Sequence, residues 1–451
     1  MNVQNGLRQG VSLADRYDLT KSPVLLNGTQ ALVRLMLMQR ARDKAEGLDT
    51  AGLCTGYRGS PLGAVDLTMQ KAARELEAAQ IRFQPGLNED LAATAIWGSQ
   101  QAELRGEGRH QGVFALWYGK GPGVDRTGDV MRHANMAGTS RFGGVLMAMG
   151  DDHTGESSTV LHQSDWAMVD AYMPVVSPAG VQEVLDYGLY GWALSRFSGL
   201  WVGLKTMKDT VEATAVVDGN PFRQGFVMPE FRMPPGGLNI RLGDTPVAQE
   251  ARMIDFKRFA AEAFSHANGM DRRIWGRSGA KIGMVAAGKN WLDLSHALSL
   301  LGIDAVEAER LGLTTYKVGQ TFPLDMKGFH DWAEGLETII VIEEKRKLIE
   351  VQVKEAIFDD RRGRRVLGWH HDRTKEELFP TRYALDPLMI AEKIGGILIE
   401  EGRGTEAVKT GLARIGEARR ADNARDMAAR LPYFCSGCPH NSSWPRTPAG
   451  W

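Results

Sequence analysis

The chain has 451 residues, 43% apolar and 24% charged, the profile of a folded globular protein with material for two or three cores. With 54 basic against 55 acidic side chains, a formal charge of -1 and no long like-charge block, it is not a basic nucleic-acid binder. The opening Met1-Asn2-Val3-Gln4-Asn5-Gly6 has no apolar signal core, polar residues interrupt every apolar run before membrane-spanning length, and three cysteines argue against a disulfide framework, so a cytoplasmic protein without a membrane partner is expected.

In chain order, Gln30 to Ala41 is apolar almost all round, which predicts a buried helix. Ala51 to Thr55 reads as a short strand, Tyr57 to Gly63 as a glycine loop, and Val65, Met69, Ala72, Leu76 and Ala79 as a helix by their spacing. Asn88 is an N-cap, and Glu89 and Asp90 begin a helix that continues through Leu91, Ala92, Ala95 and Ile96. Val113 to Tyr118 is a continuous apolar run of the kind a doubly covered parallel strand needs, broken by Gly119, Gly121 and Gly123. Further strands are expected at Gly144 to Met149, Met173 to Val176 and Leu200 to Leu204, with a helix through Val181, Val184, Leu185, Leu189 and Trp192 between the last two. Strands alternating with helices predict an α/β fold with a doubly wound parallel sheet.

From Gly225 to Pro246 turn formers replace the apolar period, which predicts a connector, followed by a helical stretch with Phe256, Phe259, Ala260 and Phe264. A smaller α/β unit opens at Lys281 to Gly288 and has a second strand at Thr338 to Glu343. Amphipathic helices are expected from Pro387 to Glu401 and from Thr405 to Arg430. The organisation is therefore read as domains over 20–245 and 281–365, a helical connector over 246–280, a helical linker over 366–430, and a last segment over 431–451.

Chemistry concentrates in few places. Glu89 sits in a first helical turn; the plain explanation is that acids favour helix starts. Gly119-Lys120-Gly121-Pro122-Gly123 lacks the spacing of a phosphate loop and reads as a tight strand-to-helix turn. Gly150-Asp151-Asp152-His153, Glu156 and His162-Gln163-Ser164-Asp165 form no defined metal pattern and read as a polar cleft edge or interface, and His370-His371 faces opposite ways if extended. Cys435 and Cys438 have the spacing of two ligands to one metal centre, of half a zinc site or of a redox dithiol.

The Tyr57-Arg58-Gly59-Ser60-Pro61 loop, the Asn88-Glu89 helix start and Cys435-Ser436-Gly437-Cys438-Pro439-His440 together resemble the thiamine-diphosphate 2-oxoacid:ferredoxin oxidoreductases, in particular the N-terminal part of the fused bacterial indolepyruvate ferredoxin oxidoreductases, over about Thr20 to His440. The resemblance implies a pyrimidine-binding domain over 20–245, a transketolase-C-like domain over 281–365, and over 431–451 the start of a diphosphate-binding domain. It implies Glu89 as the catalytic acid on the thiamine aminopyrimidine, Tyr57, Arg58, Gly59, Ser60, Pro61 and His440 as cofactor-pocket residues, and Cys435 and Cys438 as metal ligands.

The implied cofactors are thiamine diphosphate, Mg2+ and a [4Fe-4S] cluster, the last two needing regions beyond this chain. The implied reaction is oxidative decarboxylation of an aryl 2-oxoacid to an acyl-CoA with reduction of ferredoxin. The expected partners are the 2-oxoacid, CoA, ferredoxin and a diphosphate-domain and gamma-type chain, with the protein itself a homodimer. After Asn441 the sequence drifts from the family pattern, which suggests a truncated or frameshifted gene or a split subunit; the alternative readings are another 2-oxoacid:ferredoxin oxidoreductase or a non-catalytic truncated remnant or assembly protein.

Overall fold

A computed structural model describes residues 12–156 and 160–423. The strands are β1 (Val24–Asn27), β2 (Thr50–Gly56), β3 (Ile81–Phe83), β4 (Gly112–Lys120), β5 (Val145–Asp151), β6 (Val175–Val176) and β7 (Val202–Met207), then β8 (Thr214–Val217), β9 (Arg272–Arg273), β10 (Ile282–Ala287), β11 (Leu313–Val318), β12 (Gln320–Phe322), β13 (Thr338–Ile342) and β14 (Arg365–Leu367). They form a seven-stranded sheet in the order β12-β6-β7-β5-β4-β2-β3, a five-stranded sheet in the order β14-β13-β10-β11-β9, and the ribbon β1-β8. All neighbours in the large sheet are parallel except β12, which runs antiparallel to β6 at the edge. The α/β expectation holds, and the continuous apolar runs are the central strands β4, buried except at Val113 and Lys120, and β5, buried throughout.

The Gly28–Ala45 helix starts from a capping box between Asn27 and Gln30 and is buried on nearly every face. It packs against the Val181–Ser198 helix, where a Cβ on Gly188 would lie 2.2 Å from Leu35 Cδ2. The missing side chain therefore lets the two backbones close up. The stretch read as one helix through Val65 and Ala79 is two short ones, Val65–Lys71 and Ala73–Ala78, with Ala72 at the break.

In the second sheet β10 pairs in parallel with β11 and β13. Its Gly288–Leu300 helix packs on the Pro387–Glu400 helix, which in turn meets the Glu406–Asn423 helix. The chain passes from β11 in one sheet to β12 in the other with Gly319 alone between them. Asp271, fully enclosed there, accepts hydrogen bonds from the backbone N–H groups of Gly319, Gln320 and Asp325 at 2.8, 3.0 and 3.2 Å. The two sheets are thus stitched by one continuous strand segment. Among the described residues no helix is long and apolar enough to cross a membrane.

Candidate active site

The strand order reverses direction at β2: the chain moves from β2 outward to β3, then returns to place β4 on the other side. Such a switch point opens a crevice at the carboxyl ends of the strands. Three loops converge on it. Tyr57 N–H donates to Tyr118 O at 3.0 Å, Gly86 N–H donates to Gly56 O at 2.8 Å, and Gln84 N–H donates to Cys54 O at 2.9 Å, so both the Tyr57–Gly63 loop and the lead-in to Glu89 are tied to the end of β2. The Tyr57–Gly63 loop then crosses the sheet end. A Cβ on Gly59 would lie 2.9 Å from Lys120 Cδ, and one on Gly150 would lie 3.0 Å from Leu62 Cγ.

Glu89 is the first residue of the Glu89–Ser99 helix, and the Asn88 side chain caps it by accepting from Leu91 N–H at 2.8 Å. Its backbone oxygen accepts from the indole N–H of the fully buried Trp117, on β4, at 3.1 Å. The residue is only 7% exposed. Its carboxylate lies on Gly123, where a Cβ would come within 2.5 Å of Glu89 Cγ and 2.6 Å of Oε1. Among the described residues no side chain or backbone donor reaches that carboxylate, so its hydrogen-bonding capacity is uncommitted. Asp90, beside it, faces outward and pairs loosely with Arg126 at 3.8 Å.

The rim is apolar and open to solvent: Leu87 is 85% exposed and Leu91 51%. Tyr57 and Arg58 are exposed, Gly59 and Ser60 half-buried and Pro61 buried. Arg58 carries no ion pair among the described residues and lies close enough to Tyr118 to affect its phenol electrostatically. The five loop residues and Glu89 thus lie at the same carboxyl end of the sheet, around β2 and β4. Cys435, Cys438 and His440 lie outside the described residues.

A second group of side chains, not assigned a role by motif, occupies the ends of β5 and β7. Asp151 closes β5 and accepts from Ser164 N–H at 2.9 Å and Ser164 Oγ–H at 2.6 Å. Burial pushes its carboxyl up, but the hydrogen bond from His162, the charges of Lys205 and His153 and the Ser164 hydroxyl outweigh it and hold the group below the ordinary carboxylate range. Lys205 donates to Asp165 at 2.6 Å.

Across the domain junction the His153 Nδ1 atom meets Glu344, whose other oxygen accepts from Asn290 at 3.1 Å and Leu385 N–H at 3.0 Å. A cavity of about 40 Å3 lies here, lined by His153, Lys205, Lys289, Asn290, Glu343 and Glu344 among others. The stretches read as a polar cleft edge or interface therefore meet the second α/β unit. Sequence reading missed Glu343 and Glu344 as part of this junction, although two acids ending an apolar strand run were a visible signal.

Residues 272–422 match the model of the indolepyruvate oxidoreductase domain. Over 437 residues, 95% of this chain and 59% of the relative, the sequence is 24% identical to the indolepyruvate oxidoreductase subunit IorA of Pyrococcus abyssi. Over nearly its whole length the chain is thus similar to indolepyruvate oxidoreductase subunits. It spans about three fifths of the length of the curated relatives it matches. The Thermococcus kodakarensis IorA subunit is 28% identical over 171 residues, 38% of this chain and 23% of the relative. Among solved structures, the 2-oxoglutarate:ferredoxin oxidoreductase from Magnetococcus marinus superposes with a TM-score of 0.58 at 14% identity, over 83% of this chain and 65% of that one. That likeness establishes a shared α/β fold.

Proposed function

We propose that this chain supplies the pyrimidine-facing half of the thiamine-diphosphate site of a 2-oxoacid:ferredoxin oxidoreductase, with Glu89 as its catalytic acid and an aryl 2-oxoacid such as indolepyruvate as substrate. The observation that carries this reading is the Glu89 carboxylate itself: buried, without a protein donor among the described residues, and seated at the switch-point crevice on a glycine that leaves room for nothing larger. A structural carboxylate at that burial would be expected to have partners. A carboxylate kept free can accept a hydrogen bond from the protonated N1' of a bound pyrimidine ring, in surroundings of low dielectric where such a bond is strong.

The residues present fit the group. Gly123 and Gly56 keep the crevice floor flat, Trp117 fixes the Glu89 backbone, and the exposed Leu87 and Leu91 offer an apolar rim for a second domain. When bound, thiamine diphosphate supplies the carbon nucleophile for the 2-oxoacid carbonyl. In this reading Glu89 holds the ring in register and exchanges a proton with it. Arg58, on the open side of the loop, is placed to meet a substrate carboxylate by its planar fork. Magnesium and diphosphate are assigned to a diphosphate domain or partner chain, which would also complete the iron-sulfur cluster whose first ligands are Cys435 and Cys438.

The relatives' name supports indolepyruvate, and the reaction would convert a 2-oxoacid and CoA to acyl-CoA and carbon dioxide while two ferredoxins each take up one electron. The test is anaerobic 2-oxoacid-dependent viologen reduction by the chain co-expressed with a diphosphate-domain partner, against the chain alone. Turnover only with the partner, abolished by Glu89→Gln, is expected. Folded protein with a competent partner and no turnover on any 2-oxoacid would establish a non-catalytic protein instead.

A further inference from the structure

Two glycines two residues apart hold two different side chains. A Cβ on Gly121 would lie 2.2 Å from His162 Nδ1, and a Cβ on Gly123 would lie 2.5 Å from Glu89 Cγ. Both glycines belong to the Gly121–Arg126 helix, so this short element is pressed between the His162 ring and the Glu89 side chain. His162 also grips the helix directly, its Nε2 lying 2.7 Å from Asp125 Oδ2. On its other side Nδ1 lies 3.4 Å from Asp151 Oδ1 at the end of β5.

Resting on the assignment of Glu89 made above, we propose that His162 is a positioning residue for Glu89: bridging Asp151 on the sheet to Asp125 on the helix, it clamps the Gly121-Pro122-Gly123 start of that helix against the catalytic carboxylate. The bridge needs both ring N–H groups. An imidazolium donates at both nitrogens, whereas a neutral imidazole donates at one and must release either the sheet or the helix.

Every charged neighbour bears on that proton. Asp151 and Asp125 face the ring, and the Ser164 hydroxyl lies 3.4 Å from Nδ1. Behind Asp151 stand Lys205 and His153 Nε2, each 4.0 Å from its Oδ2. Lys205 is in turn neutralised by Asp165, and on the far side of the helix Arg126 lies 3.8 Å from Asp90. Burial of the His162 ring opposes its charge, but the hydrogen bonds and charges of Asp151 and Asp125 win, and its pKa is raised. A raised folded value means that the clamp is complete below the ordinary imidazole range near pH 6.5 and is lost as pH rises through the folded value.

The test is a pH titration of the full chain by amide and imidazole NMR with labelled histidine and glycine, which needs no turnover. His162 is expected to titrate above the ordinary value, with the Gly121 and Gly123 amides moving at the same midpoint. Asp151→Asn is expected to lower that midpoint by about one pH unit, tenfold in proton affinity. Asp125→Asn, at an exposed position, gives a second variant free of any folding defect in the sheet and is expected to lower it in the same direction. A Gly123 amide indifferent to the His162 titration, or a midpoint unmoved in both variants, overturns the clamp.

In the complemented enzyme His162→Gln should lower kcat roughly tenfold with KM nearly unchanged and remove the alkaline limb of the pH profile. Coupled titration without turnover in any complementation would leave the clamp standing and remove the oxidoreductase assignment. Turnover with an uncoupled Gly123 would do the reverse.

Discussion

The same sheet ends in two ways. At the carboxyl ends of β2 and β4 a single acid, Glu89, is buried with no donor among the described residues and surrounded by exposed leucines. At the ends of β5 and β7 the acids Asp151, Asp165 and Glu344 are buried as well, but each is matched: Asp151 by Ser164, Asp165 by Lys205, Glu344 by His153 and Asn290. Burial is therefore common to both corners and distinguishes nothing. What differs is whether the protein completes the hydrogen bonding of its own carboxylates. A matched corner holds two domains together, whereas an unmatched one is available to a ligand.

Substitutions should separate the corners by what they damage. Glu89→Gln is expected to cost turnover on the order of 10²–10⁴-fold in the complemented enzyme. Its thermal midpoint should stay close to that of the parent, because no protein donor loses its acceptor; a clear drop in midpoint would mean that Glu89 is a structural acid after all.

Glu344→Gln should do the opposite, destabilising the chain by about 3–5 kcal/mol in denaturant unfolding at neutral pH, since it leaves His153 and Lys289 facing a neutral amide in a closed junction. The penalty should shrink in acid. Burial raises the Glu344 carboxyl, but the His153 hydrogen bond and the charges of His153 and Lys289 more than reverse this and leave it depressed. A depressed carboxylate stabilises above its unfolded value near pH 4 and loses that contribution as pH falls through the folded value. Parent and variant should accordingly converge between neutral pH and strong acid, and parallel curves would contradict the assignment.

Gly123→Ala comes next, with about 1–3 kcal/mol expected from forcing a methyl group into the Glu89 side chain, measurable by calorimetry alongside a loss of turnover. Gly98→Ala, where nothing lies within 4 Å of the added Cβ, is the control. The smallest effect is at the rim: Leu87→Ser with Leu91→Ser should change the stability of the isolated chain by less than about 0.5 kcal/mol each. The same pair should weaken assembly with the diphosphate-domain partner in a pull-down titration, and unchanged assembly would remove the rim from the interface.

Much of the fold was legible because its elements declare themselves locally. The apolar run Val113 to Tyr118 read as a doubly covered strand, and the sequence from Gln30 to Ala41 as a buried helix; both lie where expected, with the helix running Gly28–Ala45. The strand Gln320–Phe322 was not legible. Its three residues have no periodicity to read, and it is a strand because Val175–Val176 presents an edge to it. Likewise Asn88, Glu89 and Asp90 announced a helix start, but which acid turned inward depended on Trp117 and Gly123, from a strand and a helix some thirty residues later. His162 was legible only as part of a polar cleft edge or interface. Its place depends on Asp125 and Asp151, one on a helix and one on a strand.

The sequence by itself determined the alternation of strands and helices, the caps that start them and the loops able to line a crevice, because these depend on the intrinsic preferences of neighbouring residues. Only the tertiary structure decided which charges are matched. Pairing a carboxylate requires a donor within about 3 Å, and in this chain the partners of Glu344 and Asp165 come from elements distant in sequence that the fold brings close. That geometry leaves Glu89 open while closing the junction beside it.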